Sequence, residues 1–190
     1  MRAIERRSYL RISDQAHVSH RTVSEEATRK HSASASLDLD KAFGLRSQLY
    51  KLELEARELK REITETDQKH GSFLHNLNQR MEILTNVITD TDEQFTQNVI
   101  DLSPAGLSCI SKEPYPIDDL LAIKLTFANV SLAVACYAKI RYSLLGEDDL
   151  YRIGVQFISL DDATEGLLTR HIAALQAEER RQRLHHPGNY

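Results

Sequence analysis

Two short patterns hold the residues best suited to binding chemistry. Near the N-terminus, Arg7 and Arg11 stand four positions apart inside ERRSYLRI. In the second half, Asp101, Ser103 and Gly106 form D-x-S-x-x-G inside VIDLSPAGL. Arginine carries a planar fork of N–H donors that matches paired anionic oxygens, whereas a carboxylate such as Asp101 only accepts. Ser103 both donates and accepts, and Gly106 lets a backbone come close and can take positive φ. Each pattern alone has a plain structural alternative. An arginine pair also suits a solvated terminus, and D-x-S-x-x-G suits an ordinary turn. No catalytic constellation accompanies them: the chain has no P-loop, no H-E-x-x-H and no C-x-x-C. The acidic runs 147–149 and 161–162 read as a turn and a helix cap, not as paired catalytic acids. His185 and His186 have no third ligand near them in sequence, so neither a metal nor another cofactor is expected.

The elements that must position these residues follow from periodicity. Residues 15–24 read as one modest strand. Residues 94–100 and 106–111 read as two short strands about the turn DLSPAG, where Pro104 and Gly106 supply turn chemistry. Leu121, Ile123, Leu125 and Phe127 alternate with small or polar residues, as do Leu132, Val134, Cys136, Ala138, Ile140 and Tyr142. After the turn GEDD, Tyr151, Ile153, Val155 and Phe157 alternate again. Successive short strands with turn signals indicate an antiparallel sandwich or small barrel. Asp162 and Glu165 then form a D-x-x-E cap, opening a helix with Leu167, Leu168, Ile172 and Leu175 on one face.

Between the two patterns lies a different kind of segment. Residues 37–93 contain no proline and only Gly44 and Gly71. Ala42, Leu49, Ala56, Ile63, His70 and Leu77 alternate with Leu45, Leu52, Leu59, Thr66 and Phe73 at heptad spacing. The row then shifts through Leu74, Leu77, Met81, Leu84, Ile88 and Thr91, a slip of four residues. A continuous helix here is about 85 Å long at 1.5 Å per residue. One small domain cannot bury such a stripe. A coiled coil between chains through residues 42–91 is expected, the alternative being a helical hairpin broken near Gly71. His70 reads as a polar seam position that sets register. The preceding SEEATRKHSASAS reads as a linker, with Ser36 or Asp38 as N-cap.

Composition narrows the classes further. The 190 residues carry a formal net charge of −4, which argues against bulk binding to a nucleic-acid polymer. No apolar run approaches a membrane span, and the charged N-terminus lacks a signal-peptide core, so a cytoplasmic protein without membrane insertion is expected. Cys109 and Cys136 sit in apolar strand-like runs and read as buried thiols.

Taken in order, R-x-x-x-R, D-x-S-x-x-G and IGVQFISLDD (residues 153–162), followed by a helix, resemble the PilZ domain family. The variant resembled is the long-helix type found in the tetrameric PilZ proteins of xanthomonads. The resemblance implies an α+β chain: a six-stranded antiparallel barrel, a long inserted coiled-coil helix and a C-terminal helix. It divides the chain into an arm with the first strand (1–31), a linker and oligomerisation helix (32–93), the remaining barrel with its helix (94–184) and a tail (185–190). It implies a bacterial cyclic di-GMP receptor, not an enzyme, with Arg7, Arg11, Asp101, Ser103 and Gly106 as ligand residues. Arginine can reach phosphate or the O6/N7 edge of guanine, and Asp101 can accept from guanine N–H groups. The implied partners are further copies of the chain, as a tetramer in preference to a dimer, and an unidentified downstream protein. The alternative is an oligomeric scaffold that uses the fold without the nucleotide. About ninety positions separate Arg11 from Asp101, so the fold must bring the two patterns together.

Overall fold

A computed structural model describes residues 11–39, 41–89, 98–127, 130–146 and 149–185. Arg7, Thr91, the start of the strand expected from 94, part of the 146–149 turn and the tail from His186 lie outside these residues. Six strands make the barrel: β1 (Ile12–Val23), β2 (Asn98–Ser103), β3 (Gly106–Ser111), β4 (Leu120–Phe127), β5 (Ala133–Leu145) and β6 (Tyr151–Ser159). They close in the order β1-β2-β3-β6-β5-β4, every pair antiparallel. Closure leaves no open sheet edge. β1 completes it by pairing with β2 through Ile12–Ala16 and with β4 through Ala16–Val23. The strand therefore starts three residues before the expected Gln15. Pairing with β2 holds residues 12–14 extended although their own apolar content is thin.

The expected alternation packs the interior as far as Ile140 on β5, where a register shift pairs Tyr142 with Gly154 and turns it to the outer face. Leu121, Ile123, Leu125 and Phe127 are buried together with Val134, Cys136, Ala138, Ile140, Ile153, Val155 and Phe157. Helix α5 (Asp162–His185) adds Leu168 and Ile172 to this core. Its N-cap is Asp161, one residue before the expected Asp162: Asp161 accepts from Thr164 N–H at 2.9 Å and from Thr164 Oγ1 at 2.7 Å. These bonds hold the Asp161 carboxyl below its ordinary range. Further along α5, His171 Nε2 lies 2.7 Å from Asp14 Oδ2 with both side chains buried, which partners the one inward carboxylate of β1.

The polar segment after β1 is not an open linker. It forms α1 (Glu25–Lys30), capped by Ser24, and α2 (Ala33–Ser36), capped by Ser32. Each serine accepts a backbone N–H from the first turn of its helix. Ala33 packs on Ala122 and Tyr137, and the Tyr137 hydroxyl meets Ser36 Oγ at 2.6 Å. Ser36 thus ends α2, and Asp38 follows at φ 48° in a turn; neither caps the long helix.

The uninterrupted helix expected over 37–93 is two helices, α3 (Lys41–Thr66) and α4 (Gln68–Thr89), folded back on each other. Asp67 divides them. Its carboxylate accepts the N–H groups of Lys69 at 2.9 Å and His70 at 3.2 Å, capping α4, and meets His70 Nδ1 at 2.6 Å. The hydrogen bonds from His70 hold this carboxyl below its usual range. His70 is therefore exposed at a hairpin turn instead of lying in a seam. A Cβ on Gly71 would fall 2.4 Å from Thr64 Oγ1, so only glycine admits so close a crossing. One turn further out, Lys60 Nζ meets His75 Nδ1 at 2.8 Å, which makes the pair antiparallel. The alternative of a hairpin within one chain is the one adopted.

The hairpin stands on the barrel by a face that the heptad row concealed. Phe43, Ser47, Tyr50 and Leu54 recur at four-three-four spacing. Phe43 and Tyr50 are buried, and Leu54 packs against the barrel core. Ser47 Oγ donates to Ala133 O at 2.6 Å, and Ser131 Oγ donates to Glu53 at 2.9 Å. Leu52 and Leu59, on another side of α3, stay 59% and 60% exposed.

Candidate functional site

The site is built from the β2–β3 hairpin outward. Ile100 and Leu102 point into the core, so the strand alternation turns Asp101 and Ser103 to the outer face, where Asp101 is partly exposed and Ser103 is buried. Pro104 and Ala105 make the turn, and Ser103 pairs with Gly106 across it. Ser103 Oγ donates to Gly106 O at 3.0 Å, which engages its proton and leaves its lone pairs. Gly106 does not adopt positive φ. It is required for space, because a Cβ there would lie 2.0 Å from Val155 O on β6. The close approach expected at Gly106 is thus made by the neighbouring strand.

β1 supplies the second half of the site. Ile12 pairs with Leu102 and Ser13 with Asp101. Arg11 directly precedes Ile12 and is exposed, so it emerges beside Ser103 at the same end of the β1–β2 ladder. The intervening residues loop out as the helical insertion, and the ladder closes behind them. Of the five candidate ligand residues, Arg11, Asp101, Ser103 and Gly106 share this end of the barrel. Arg7 lies outside the described residues.

The geometry adds a residue that pattern reading missed. Arg152 Nη1, on β6, reaches across β3 to Asp101 Oδ2 at 3.3 Å, with the side chains 57% and 35% exposed. Such an exposed pair is worth about 0–1 kcal/mol and is readily exchanged. The alternation of Tyr151, Ile153, Val155 and Phe157 marks Arg152 as outward. Its partner depends on a register between strands more than forty positions apart. Beside it the Tyr142 ring lies over Gly154, where a Cβ would fall 2.1 Å from Tyr142 Cε1. Arg141 binds Gln156 Oε1 through Nε at 2.8 Å and Asp118 at 3.4 Å. A cleft of about 490 Å³ opens next to the hairpin turn, between Pro104, Ala105, Ile158, Leu160, Glu165 and Thr169. Arginines beside a carboxylate and hydroxyls suit a ligand that is anionic at one point and a hydrogen-bond donor at another. Among the described residues, no cluster of three or more His, Cys, Asp or Glu side chains is placed to hold a metal.

A family model of the PilZ domain matches residues 78–174, and the chain belongs to that family. The matched stretch contains β2 to β6 and begins after β1. No curated protein matches the chain. Among solved structures, the chain is similar to a pathogenic protein from Xanthomonas campestris, described as a tetrameric PilZ domain self-assembled via an unusual helical bundle. The likeness has 15% identity and a TM-score of 0.56, covering 92% of this chain and 90% of that one. At that identity it speaks to the fold alone, and it does so over nearly the whole length, insertion included. Partial likenesses reach K. pneumonia MrkH in complex with c-di-GMP (17% identity, 48% of this chain, 46% of that chain, TM-score 0.39) and Escherichia coli YcgR in complex with c-di-GMP (16%, 48%, 40%, 0.35).

Proposed function

We propose that this chain is a cyclic di-GMP receptor that assembles through its helical hairpin and signals by protein–protein contact. The observation that carries the reading is the β1–β2 register, which pairs Ile12 with Leu102 and Ser13 with Asp101 and so brings Arg11 to the end of the ladder that carries Ser103, although the sequence holds them far apart. The family supports a binding role without a catalytic step. Arg7 and Arg11 would clasp the phosphates or guanine edges, Asp101 would accept guanine N–H groups, and Ser103 would offer its hydroxyl. Gly106 would keep the turn pressed on β6. The unpartnered leucines of α3 support self-association, with a tetramer preferred to a dimer. Among the described residues no helix is long and apolar enough to cross a membrane, and we place the receptor in the cytoplasm.

Calorimetric titration with cyclic di-GMP tests the reading. Wild type should saturate, and the Arg7→Ala/Arg11→Ala double variant should lose on the order of 1.5–3 kcal/mol per arginine. Asp101→Ala should weaken binding while leaving assembly intact. Wild type that neither evolves heat nor saturates would favour a second reading, a PilZ-fold scaffold acting only through protein partners. Two observations favour that reading: Asp101 already has Arg152, and Ser103 already donates to Gly106 O.

A further inference from the structure

Ser108 lies in the same transverse row as Asp101. Strand pairing sets Asp101, Ser108 and Gly154 side by side across β2, β3 and β6. Directly paired residues point to one face, and Leu107 and Cys109 are in the core, so Ser108 faces outward with Asp101. It is nevertheless only 2% exposed, and among the described residues its hydroxyl has no hydrogen-bond partner. Two side chains flank it on this face. Arg152 crosses β3 to reach Asp101 on one side, and Tyr142 fills the space over Gly154 on the other. A buried hydroxyl without a partner is unfavourable and rare.

Resting on the nucleotide reading, we infer that Arg152 and Ser108 are further recognition residues of the site, and that Arg152 exchanges Asp101 for the ligand when it binds. A guanine nucleotide can make that exchange in one event. Its paired N–H groups replace the guanidinium at the Asp101 carboxylate. Its phosphate, or the face or O6/N7 edge of its base, receives the released Arg152. Opening the Asp101–Arg152 pair uncovers the Ser108 hydroxyl, which gains the ligand as partner. Adenine cannot substitute, because its pairing edge offers one donor group next to an acceptor. The resting ion pair thus selects for a ligand that carries both a two-donor edge and a receptor for arginine. A simple phosphate, or a base whose pairing edge lacks two donors, satisfies only one side of the exchange.

The test titrates cyclic di-GMP into the full-length protein at low and at physiological salt, for wild type, Arg152→Ala, Arg152→Lys and Ser108→Ala, with cyclic di-AMP as the comparison ligand. Arg152→Ala should weaken cyclic di-GMP binding at least tenfold and flatten its salt dependence. Arg152→Lys should keep the salt dependence but lose affinity, since a point charge cannot supply the planar fork. Ser108→Ala should bind several-fold more weakly while its melting temperature holds or rises, an opposition that a merely structural serine would not produce. Cyclic di-AMP should bind wild type at least a hundredfold more weakly. Arginine variants that bind like wild type at both salts, or a Ser108→Ala variant with unchanged affinity, would overturn the inference while leaving the receptor reading standing. Failure of wild type to bind would remove both. Arg152 is more than half exposed, so its variants should fold normally.

Discussion

Charge placed on the outer leucines of α3 should abolish self-association without unfolding the subunit. Leu52 and Leu59 are 59% and 60% exposed, although the hairpin already covers other faces of the helix. Complete burial of a leucine is worth about 1.5–3 kcal/mol, so roughly 1–2 kcal/mol remains to be gained at each site. Two such sites in each of two contacting subunits give about 4–8 kcal/mol, or about three to six powers of ten in the dissociation constant. Leu52→Asp with Leu59→Asp removes that term and adds the cost of dehydrating carboxylates. Leu52 lines a groove between α3 and α4 whose other side carries Met81, 53% exposed, so the apolar surface spans both helices. Light scattering at micromolar concentration should report an oligomer for wild type and a monomer for the double variant. Thermal melts of the monomer should keep the barrel transition, because neither leucine belongs to the core that Tyr50 joins. A wild-type monomer, or a double variant of unchanged mass, would refute the reasoning.

Three further outcomes follow from the barrel. Gly106→Ala should destabilise by about 1–3 kcal/mol or more, because the new methyl meets the Val155 carbonyl oxygen and β6 must move; an unchanged denaturation midpoint would contradict this. Burial pushes the Cys109 thiol up to about 11 and the Cys136 thiol up to about 12, so little thiolate exists at neutral pH. Both should resist thiol reagents until the chain unfolds, and rapid native labelling of Cys136 would place that strand face wrongly. His20 titrates below its ordinary value, chiefly through burial and against an opposing pull from Glu113, while its Nε2 bonds Tyr115 Oη at 2.8 Å. The unfolded chain then binds the proton more tightly, so this contribution to stability is full above about pH 6.5 and is lost as pH falls through the depressed value. His20→Gln should flatten the decline measured by denaturant titration between pH 7 and pH 5, and an identical slope would exclude the assignment.

Local pattern alone determined a large part of this protein. The inward alternation on β4, β5 and β6 is written in residues such as Leu121, Ile123, Val134 and Val155, because a side-chain period of two needs only neighbours in the chain. The turn at Pro104–Gly106, the C-terminal helix and the resemblance to PilZ domains rest on equally local signals. The tertiary structure decided the rest. A heptad row in α3 is blind to Asp67, whose carboxylate ends one helix by capping the next, and to Gly71, which admits a close crossing only once the hairpin exists. It also hid the Phe43–Tyr50 face, since the barrel surface that buries those rings comes from strands far along the chain. The candidate site divides in the same way. Asp101, Ser103 and Gly106 were legible as a turn motif. That Arg11 emerges beside Ser103, that Arg152 holds Asp101, and that Ser108 stands in the row of Asp101 all follow from strand register. Register is set by closure of the whole barrel, and no segment specifies it alone.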